Sequence, residues 1–322
     1  MAVAAVTVIV VNWNSGNLLN ECLSRLNRQT LLPARILVMD NGSTDGSALC
    51  AQTAPGVTLR MLGRNLGFAA ANNQALDECD TDLVALLNPD AFPEPDWLLR
   101  LVAAAAAHPD IAAFGSRQMM HGFASTLDGI GDVYHISGRV WRKGHGLMQF
   151  AAAHIADKIF SPCAGAALYR REALAEVGGF DEDYFCYIED IDLGFRLQLA
   201  GYSCLYVPDA VVHHIGSASS GGKHSDFSVY HGHRNLVWTF VKNMPGLLFW
   251  LLLPLHVLLN LGTLVLFTGN GQGRVIWRAK WDAIRGLPRM WKKRTQIQTR
   301  RIATPLEIWR LLDKRLLFKK KI

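Results

Sequence analysis

"VTVIVVNWN" (residues 6–14) is an apolar, largely β-branched run that stops at two asparagines around a tryptophan. A short continuous run of this kind suits a strand buried on both faces, as in a parallel sheet covered by helices. The same pattern recurs down the chain. A helix-like stretch over roughly 16–29 leads to "RILVMDNGSTDGS" (35–47), an apolar strand running into an Asp/Gly/Ser turn. Another helix and the strand "VTLRML" (57–62) follow, then "NLGFAAANNQALDEC" (65–79) as turn and helix, then the strand "DLVALLNPDA" (82–91). Strands alternating with helices predict an α/β fold with a Rossmann-like, mostly parallel sheet and flanking helices. Such sheets take ligands beyond the carboxyl ends of their strands. There the polar residues gather: Asn12, Asn14, Asp40, Asn41, Asn88 and Asp90.

Past about residue 110 the pattern loosens. "SPCAGAALYRREAL" (161–174) reads as a strand into a helix, and "SCLYVPDAVVHHIG" (203–216) as a strand. A Ser/Gly-rich stretch, "SASSGGKHSD" (217–226), separates two compositions, so a boundary is expected near 226. Residues 1–226 form the α/β domain, and 227–322 form a helical region that is first apolar, then basic. The apolar part is "PGLLFWLLLPLHVLLNLGTLVLFTG" (245–269). Residues 274–322 hold 16 Lys/Arg against 3 Asp/Glu, so the net charge of +6 belongs to the tail. That pattern is assigned to anionic membrane lipid, with no nucleic-acid role.

Six cysteines, at 22, 50, 79, 163, 186 and 204, form neither CxxC nor a Cys/His zinc spacing and read as reduced thiols. The apolar N-terminus lacks a basic leader and reads as a first strand.

The segment "YFCYIEDIDLGFRLQLAGY" (184–202) sets three acids among apolar residues. As a helix from Glu189 to Gly201 it carries Ile188, Ile191, Phe195 and Leu199 on one face and Leu193, Leu197 and Ala200 on a second. Glu189, Asp192 and Arg196 share a polar strip, with Asp192 and Arg196 spaced for an ion pair. Asp190 lies apart, over Gly194. Acids in a first helical turn also suit the helix dipole, the plainer reading of Glu189 and Asp192.

"NPD" (88–90) places Asp90 where a carboxylate can hold a hard divalent cation, although Pro between Asn and Asp is also ordinary turn chemistry. In "VVHHIGS" (211–217) strand alternation sends His213 and His214 to opposite faces, so one at most meets a site. His214, nearer "IGS", is preferred. An imidazole beside a carboxylate suits Mn²⁺ better than Mg²⁺.

In order along the chain, "VIVVNWN", "DNGSTDGS", "NLGFAAANNQAL", "LLNPDA", "CAGAALYRREALAEVGGFDEDYF", "EDIDLGFRLQLAGY" and "VVHHIGSAS" resemble the family 2 glycosyltransferases of bacterial polysaccharide and O-antigen assembly, above all the rhamnosyltransferase-like branch. The likeness covers about residues 5–245. It implies a GT-A fold and inverting transfer of a sugar from a nucleotide-diphosphate donor, of dTDP or UDP type, to a glycan or polyprenyl-linked acceptor. It also implies Mg²⁺ or Mn²⁺. The need for cytosolic nucleotide sugar, the reduced thiols and the positive-inside preference of the basic tail place the chain at the cytoplasmic face of the inner membrane. By the resemblance, Asp40 recognises the base, Arg64, Asn65 and Asn72 line the nucleotide pocket with Asn12 and Asn41, and Asp90 is the metal-binding acid. Asn88 stands where the family's metal motif has its first acid, so metal binding is weaker or rests on His214. Asp190 matches the general base, with Glu189 its partner. An oligomer is compatible with all of this.

Two other readings compete. A nucleotidyltransferase would open with a basic Gly-rich loop after the first strand, where this chain has "NWNSGN". A membrane-bound sugar-nucleotide sensor would bind without turnover. A processive synthase is excluded because QxxRW is absent.

Overall fold

The computed structural model describes residues 4–123, 125–148, 151–216 and 225–315. The expected Ser/Gly-rich linker, apart from its last two residues, and the end of the basic tail lie outside these. The first half follows the strand–helix alternation: β1 (Val6–Asn12), α1 (Leu18–Leu26), β2 (Arg35–Asp40), α2 (Leu49–Thr53), β3 (Val57–Met61), α3 (Phe68–Asp77) and β4 (Leu83–Leu87). Then come β5 (Ala91–Pro93), α4 (Trp97–Ala107), β6 (Ile111–Met120), and three short strands, β7 (Leu127–Gly129), β8 (Asp132–Tyr134) and β9 (Val140–Arg142). β10 (Asp157–Ile159), β11 (Ala166–Arg170), α5 (Arg171–Val177), α6 (Glu189–Leu199) and β12 (Ser203–His214) complete the α/β part. Among the described residues, four helices follow: α7 (Asp226–Asn243), α8 (Gly246–Phe267), α9 (Gly273–Thr299) and α10 (Pro305–Leu311).

The main sheet runs β10-β12-β6-β11-β4-β1-β2-β3. It is parallel through β4-β1-β2-β3 and again between β6 and β12, with β11 antiparallel between β4 and β6. After β3 the chain returns to the far side of β1, which makes the carboxyl ends of β1 and β4 a topological switch point. Strand periodicity divides the core. Val8, Val10, Ile36, Val38, Ala85 and Leu87 pack on one side of the sheet, and Ile9, Leu37, Met39, Val84 and Leu86 on the other.

The two apolar faces expected of α6 serve two different cores. Leu193 and Leu197 join the sheet cluster, whereas Ile191, Phe195 and Leu199 join a third cluster with Tyr134, Phe160, Trp238, Phe240, Leu248, Met290 and Leu312. Side chains from before and after residue 226 thus share one core, although α7 does begin at Asp226.

The apolar stretch forms α8, and "GNGQG" is a kinked π-helical turn with Gly271 at φ +84°. α9 then folds back along α8: Trp291 packs against Phe249 and Trp250, and Lys280 Nζ donates to Asn260 Oδ1 (2.5 Å) nearer the turn. α8 is long and apolar enough to cross a membrane, with 11% of its most apolar window buried. Leu247, Trp250, Leu251, Leu258, Val265, Trp277, Trp281 and Trp291 are exposed along the hairpin. Arg285 lies over Trp281 and the buried Arg294 over Trp291, while Lys280 is buried.

Candidate active site

A cavity of about 840 Å³ opens at the switch point, between the carboxyl ends of β1 and β4, the β8–β9 hairpin, the loop before α6 and the start of α7. Asn41, Asn65, Asn88, Asp90, Glu189, Asp190 and His214 line it.

On the β4 side Asp90 is buried and stands beside His214, whose Nε2 is 3.3 Å from Asp90 Oδ1. His214 Nδ1 is 2.8 Å from Asp128 Oδ2. His213 points the other way, to Glu94 at 3.1 Å on the outer face, as strand alternation requires. Burial would push the His214 imidazole down, but hydrogen bonds and charge from Asp128 and Asp90 hold it up at about 8. Burial also opposes ionisation of Asp128, yet hydrogen bonds to His145 and His214 and the Arg142 guanidinium keep its carboxyl well below the usual carboxylate range. His214 Nε2 is buried and faces the Asp90 carboxylate, so the oxygen-plus-imidazole set of Asp90 and His214 fits Mn²⁺ or Mg²⁺. Asp128 fixes the ring from behind.

On the opposite wall α6 begins at Glu189, straight after a strained loop. Phe185, Tyr187 and Ile188 all have positive φ (65°, 65° and 69°), a conformation costly for side chains of this kind. Buried Asn235 of α7 holds the loop, donating through Nδ2 to the carbonyls of Tyr184 (3.0 Å), Cys186 (3.0 Å) and Tyr187 (2.7 Å). Arg234 donates to the carbonyls of Asp183 and Tyr184. Asp190 Oδ1 accepts from Ile191 N (2.8 Å) and Oδ2 from Ala164 N (3.2 Å). Burial raises its carboxyl against those hydrogen bonds and the charge of Arg142. Glu189 is raised well above the usual range, first by burial and then by Asp190, and its Oε2 has no hydrogen-bond partner.

Asp192 does something different. It forms the expected ion pair with Arg196 (2.8 Å), meets Lys242 (2.7 Å), and accepts from Tyr184 and Asn243. These partners keep it ionised despite burial, and it ties α6 to α7 away from the cavity.

The nucleotide end departs from expectation. Asp40 is fully buried and spends its oxygens on Asn12 Nδ2 (2.8 Å) and Ser43 N (3.1 Å). Asn12 also bonds Ser15, Ser43 and Ser47. The pair buckles the ends of β1 and β2 together and does not line the cavity, because a buried carboxylate needs fixed donors and Asn12 supplies one. Asn72 is likewise turned inward, donating to Phe68 O inside α3 (2.9 Å), and Arg64 is exposed outside the cavity. Asn41 and Asn65 do line it, joined by Asn41 Nδ2 to Asn65 Oδ1 (3.0 Å). Asp45, Trp13, Trp141, Phe185, Tyr187 and Phe227 line it too and were not anticipated. "STDGS" offered a signal for Asp45; Asp128, Asp132 and Arg142 sit on strands of three residues, too short to show periodicity.

Comparison with known proteins gives the family and the fold. The family model "Glycosyl transferase family 2" matches residues 7–178. An N-acetylglucosaminyl-diphospho-decaprenol L-rhamnosyltransferase of Mycobacterium tuberculosis is 30% identical over 247 residues, 70% of this chain and 80% of the relative. The O-antigen chain rhamnosyltransferase RfbN of Salmonella typhimurium is 25% identical, covering 65% of this chain and 66% of the relative. Among solved structures, the mannosyltransferase PcManGT of Pyrobaculum calidifontis, in complex with GDP-Man and Mn²⁺, aligns with a TM-score of 0.56 at 21% identity over 92% of this chain and 84% of its own. GalNAc-T7 with UDP, GalNAc and Mn²⁺ aligns at 0.60 and 15% identity over 75% and 48%. The architecture is of the GT-A type.

Proposed function

Because the chain belongs to glycosyl transferase family 2, we propose that it transfers rhamnose, with inversion, from a dTDP- or UDP-type donor to a hydroxyl of a glycan or polyprenyl-linked acceptor in cell-envelope polysaccharide assembly. One observation carries the reading: a single cavity has Asp90 and His214 on one wall and Asp190 on another.

Asp190 accepts the proton of the acceptor hydroxyl as that oxygen bonds to the anomeric carbon, and the carbon–diphosphate bond breaks with its electron pair leaving on the diphosphate. Concerted proton transfer lets a carboxylate serve as base. Its bonds to Ala164 N and Ile191 N fix its direction. Glu189, kept neutral by burial, donates to the acceptor or shares the charge of Asp190. Asp90 and His214 would hold Mg²⁺ or Mn²⁺, which when bound neutralises charge on the departing diphosphate. Asn41, Asn65 and Asn88 offer amides to the nucleotide and sugar.

The α8–α9 hairpin supports work at the cytoplasmic face of the inner membrane. Its exposed tryptophans suit the headgroup level and its Lys/Arg suit anionic lipid. A nucleotide-sugar binding screen followed by linkage analysis of the product tests the proposal. Binding of dTDP-rhamnose without transfer to any lipid-linked glycan would count against it.

A further inference from the structure

Asp132 is a third acid on the cavity wall, and neither the base nor the cation explains it. It opens β8, is buried, and leaves Oδ2 without a hydrogen-bond partner. Oxygens of Asp132 and Asp190 and the Cys163 sulfur all lie within 4.8 Å of one another. The position is rigid: Asp132 N donates to Ser161 O (2.8 Å), Ser161 Oγ donates to Asp190 O (2.9 Å), and Asp132 pairs with Arg142 across the β8–β9 hairpin.

A cation is a poor occupant of this cluster. Arg142 Nη2 already donates to Cys163 Sγ at 2.8 Å, which puts a fixed positive charge there, and burial pushes the Cys163 thiol up to about 12, so it stays protonated. A proton is the better occupant. Two carboxylates this close in a buried site do not both ionise. We infer that Asp132 carries that proton in the working enzyme and leaves Asp190 as the ionised member of the pair, Asp132 being a positioning residue for the base. This rests on the assignment of Asp190 as the base.

The groups facing the pair are consistent with it. Asp190 of α6 and Asp128 of β7 disfavour a second negative charge on Asp132, and Arg142 of β9 opposes them only in part, with Nε 3.9 Å from Asp132 Oδ1. Cys163, next to the pair, and Tyr169 of β11 are held neutral by burial. Burial and the Asp190 charge together raise the Asp132 carboxyl to about 8. In turn, a neutral Asp132 places no second negative charge beside Asp190, which favours its ionisation against the burial that raises it. During transfer the acceptor O–H bond breaks and an O–H bond forms on Asp190, while Asp132 keeps its own proton.

Infrared pH titration of the intact protein, without substrate, reads the proton directly. Neutral Glu189 gives a carboxyl C=O band of its own; a second band is expected that disappears as pH rises through about 8, lacking in D132N and kept in E189Q. Kinetically, D132N copies the neutral acid, so it should keep turnover of dTDP-rhamnose within about threefold at neutral pH and lose the alkaline fall, whereas D132A should lose roughly tenfold or more. A wild-type protein with no such band, or a D132N variant with an unchanged band or the wild-type alkaline limb, would overturn the inference. Where D132N misfolds, the E189Q titration decides, because it removes the other neutral carboxyl and leaves Asp132. A D190N variant with near-normal turnover removes the base assignment, and the infrared result remains a separate reading of the pair.

Discussion

A Cβ on Gly194 would lie 2.3 Å from the Ser161 hydroxyl oxygen and 2.4 Å from its Cβ. This close approach presses α6 against the segment that supplies Ala164 N to Asp190. Gly194→Ala has to push the helix away from that segment. We expect a stability loss of about 1–3 kcal/mol from overpacking, read by denaturant melts. Turnover should fall by more than donor affinity, because the displaced contact orients the base. An alanine variant with wild-type turnover would show that the approach has no catalytic consequence.

Asp190→Asn keeps the shape of the side chain and removes the base. Turnover should drop by about 10²-fold or more, with donor affinity near wild type, since the base acts on the acceptor. Separate measurement of binding by calorimetry and transfer by product analysis distinguishes the two.

Cation binding should depend on residues that touch the ion and on one that does not. Asp90→Ala should abolish Mn²⁺-dependent tightening of donor binding, and His214→Ala should weaken it less. Asp128→Asn removes the carboxylate behind the His214 ring and should weaken Mn²⁺ affinity by about 10–100-fold. Calorimetry with Mn²⁺ reads this without turnover. Donor affinity that is the same with and without Mn²⁺ would take the metal out of the mechanism.

High salt should leave the protein on membranes, because apolar insertion of the α8–α9 hairpin outlasts screened charge. The fold-back of α9 along α8 argues against a single crossing, which would separate the basic tail from the nucleotide-sugar site. In sealed intact cells, K320C should therefore resist an impermeant thiol reagent. Labelling from outside would establish a crossing.

Much of the fold was legible in sequence because its signals are local. The runs at 6–14, 35–47 and 82–91 announce buried parallel strands by composition, and the two apolar faces of α6 follow from helical spacing alone. Asp90 at the end of β4, and Asp190 set apart from the Asp192–Arg196 pair, could be singled out the same way. The choice between His213 and His214 could not, since alternation separates the faces without saying which is inside; the pairing of β12 with β6 and β5 decides it. Asp40 looked like a ligand contact and is a buckle, because its nearest donor, Asn12, is brought to it only by the parallel register of β1 and β2. Asp132 and Arg142 reach the cavity, and Asp128 backs His214, from short strands with no periodicity, while Asn235 holds the loop before α6 from a helix beyond the family match. Local pattern is written in neighbouring residues, whereas side-chain direction at a site depends on contacts between segments far apart in the chain. Tertiary packing alone closes those contacts and settles which polar group is spent inside the protein and which is left for a ligand.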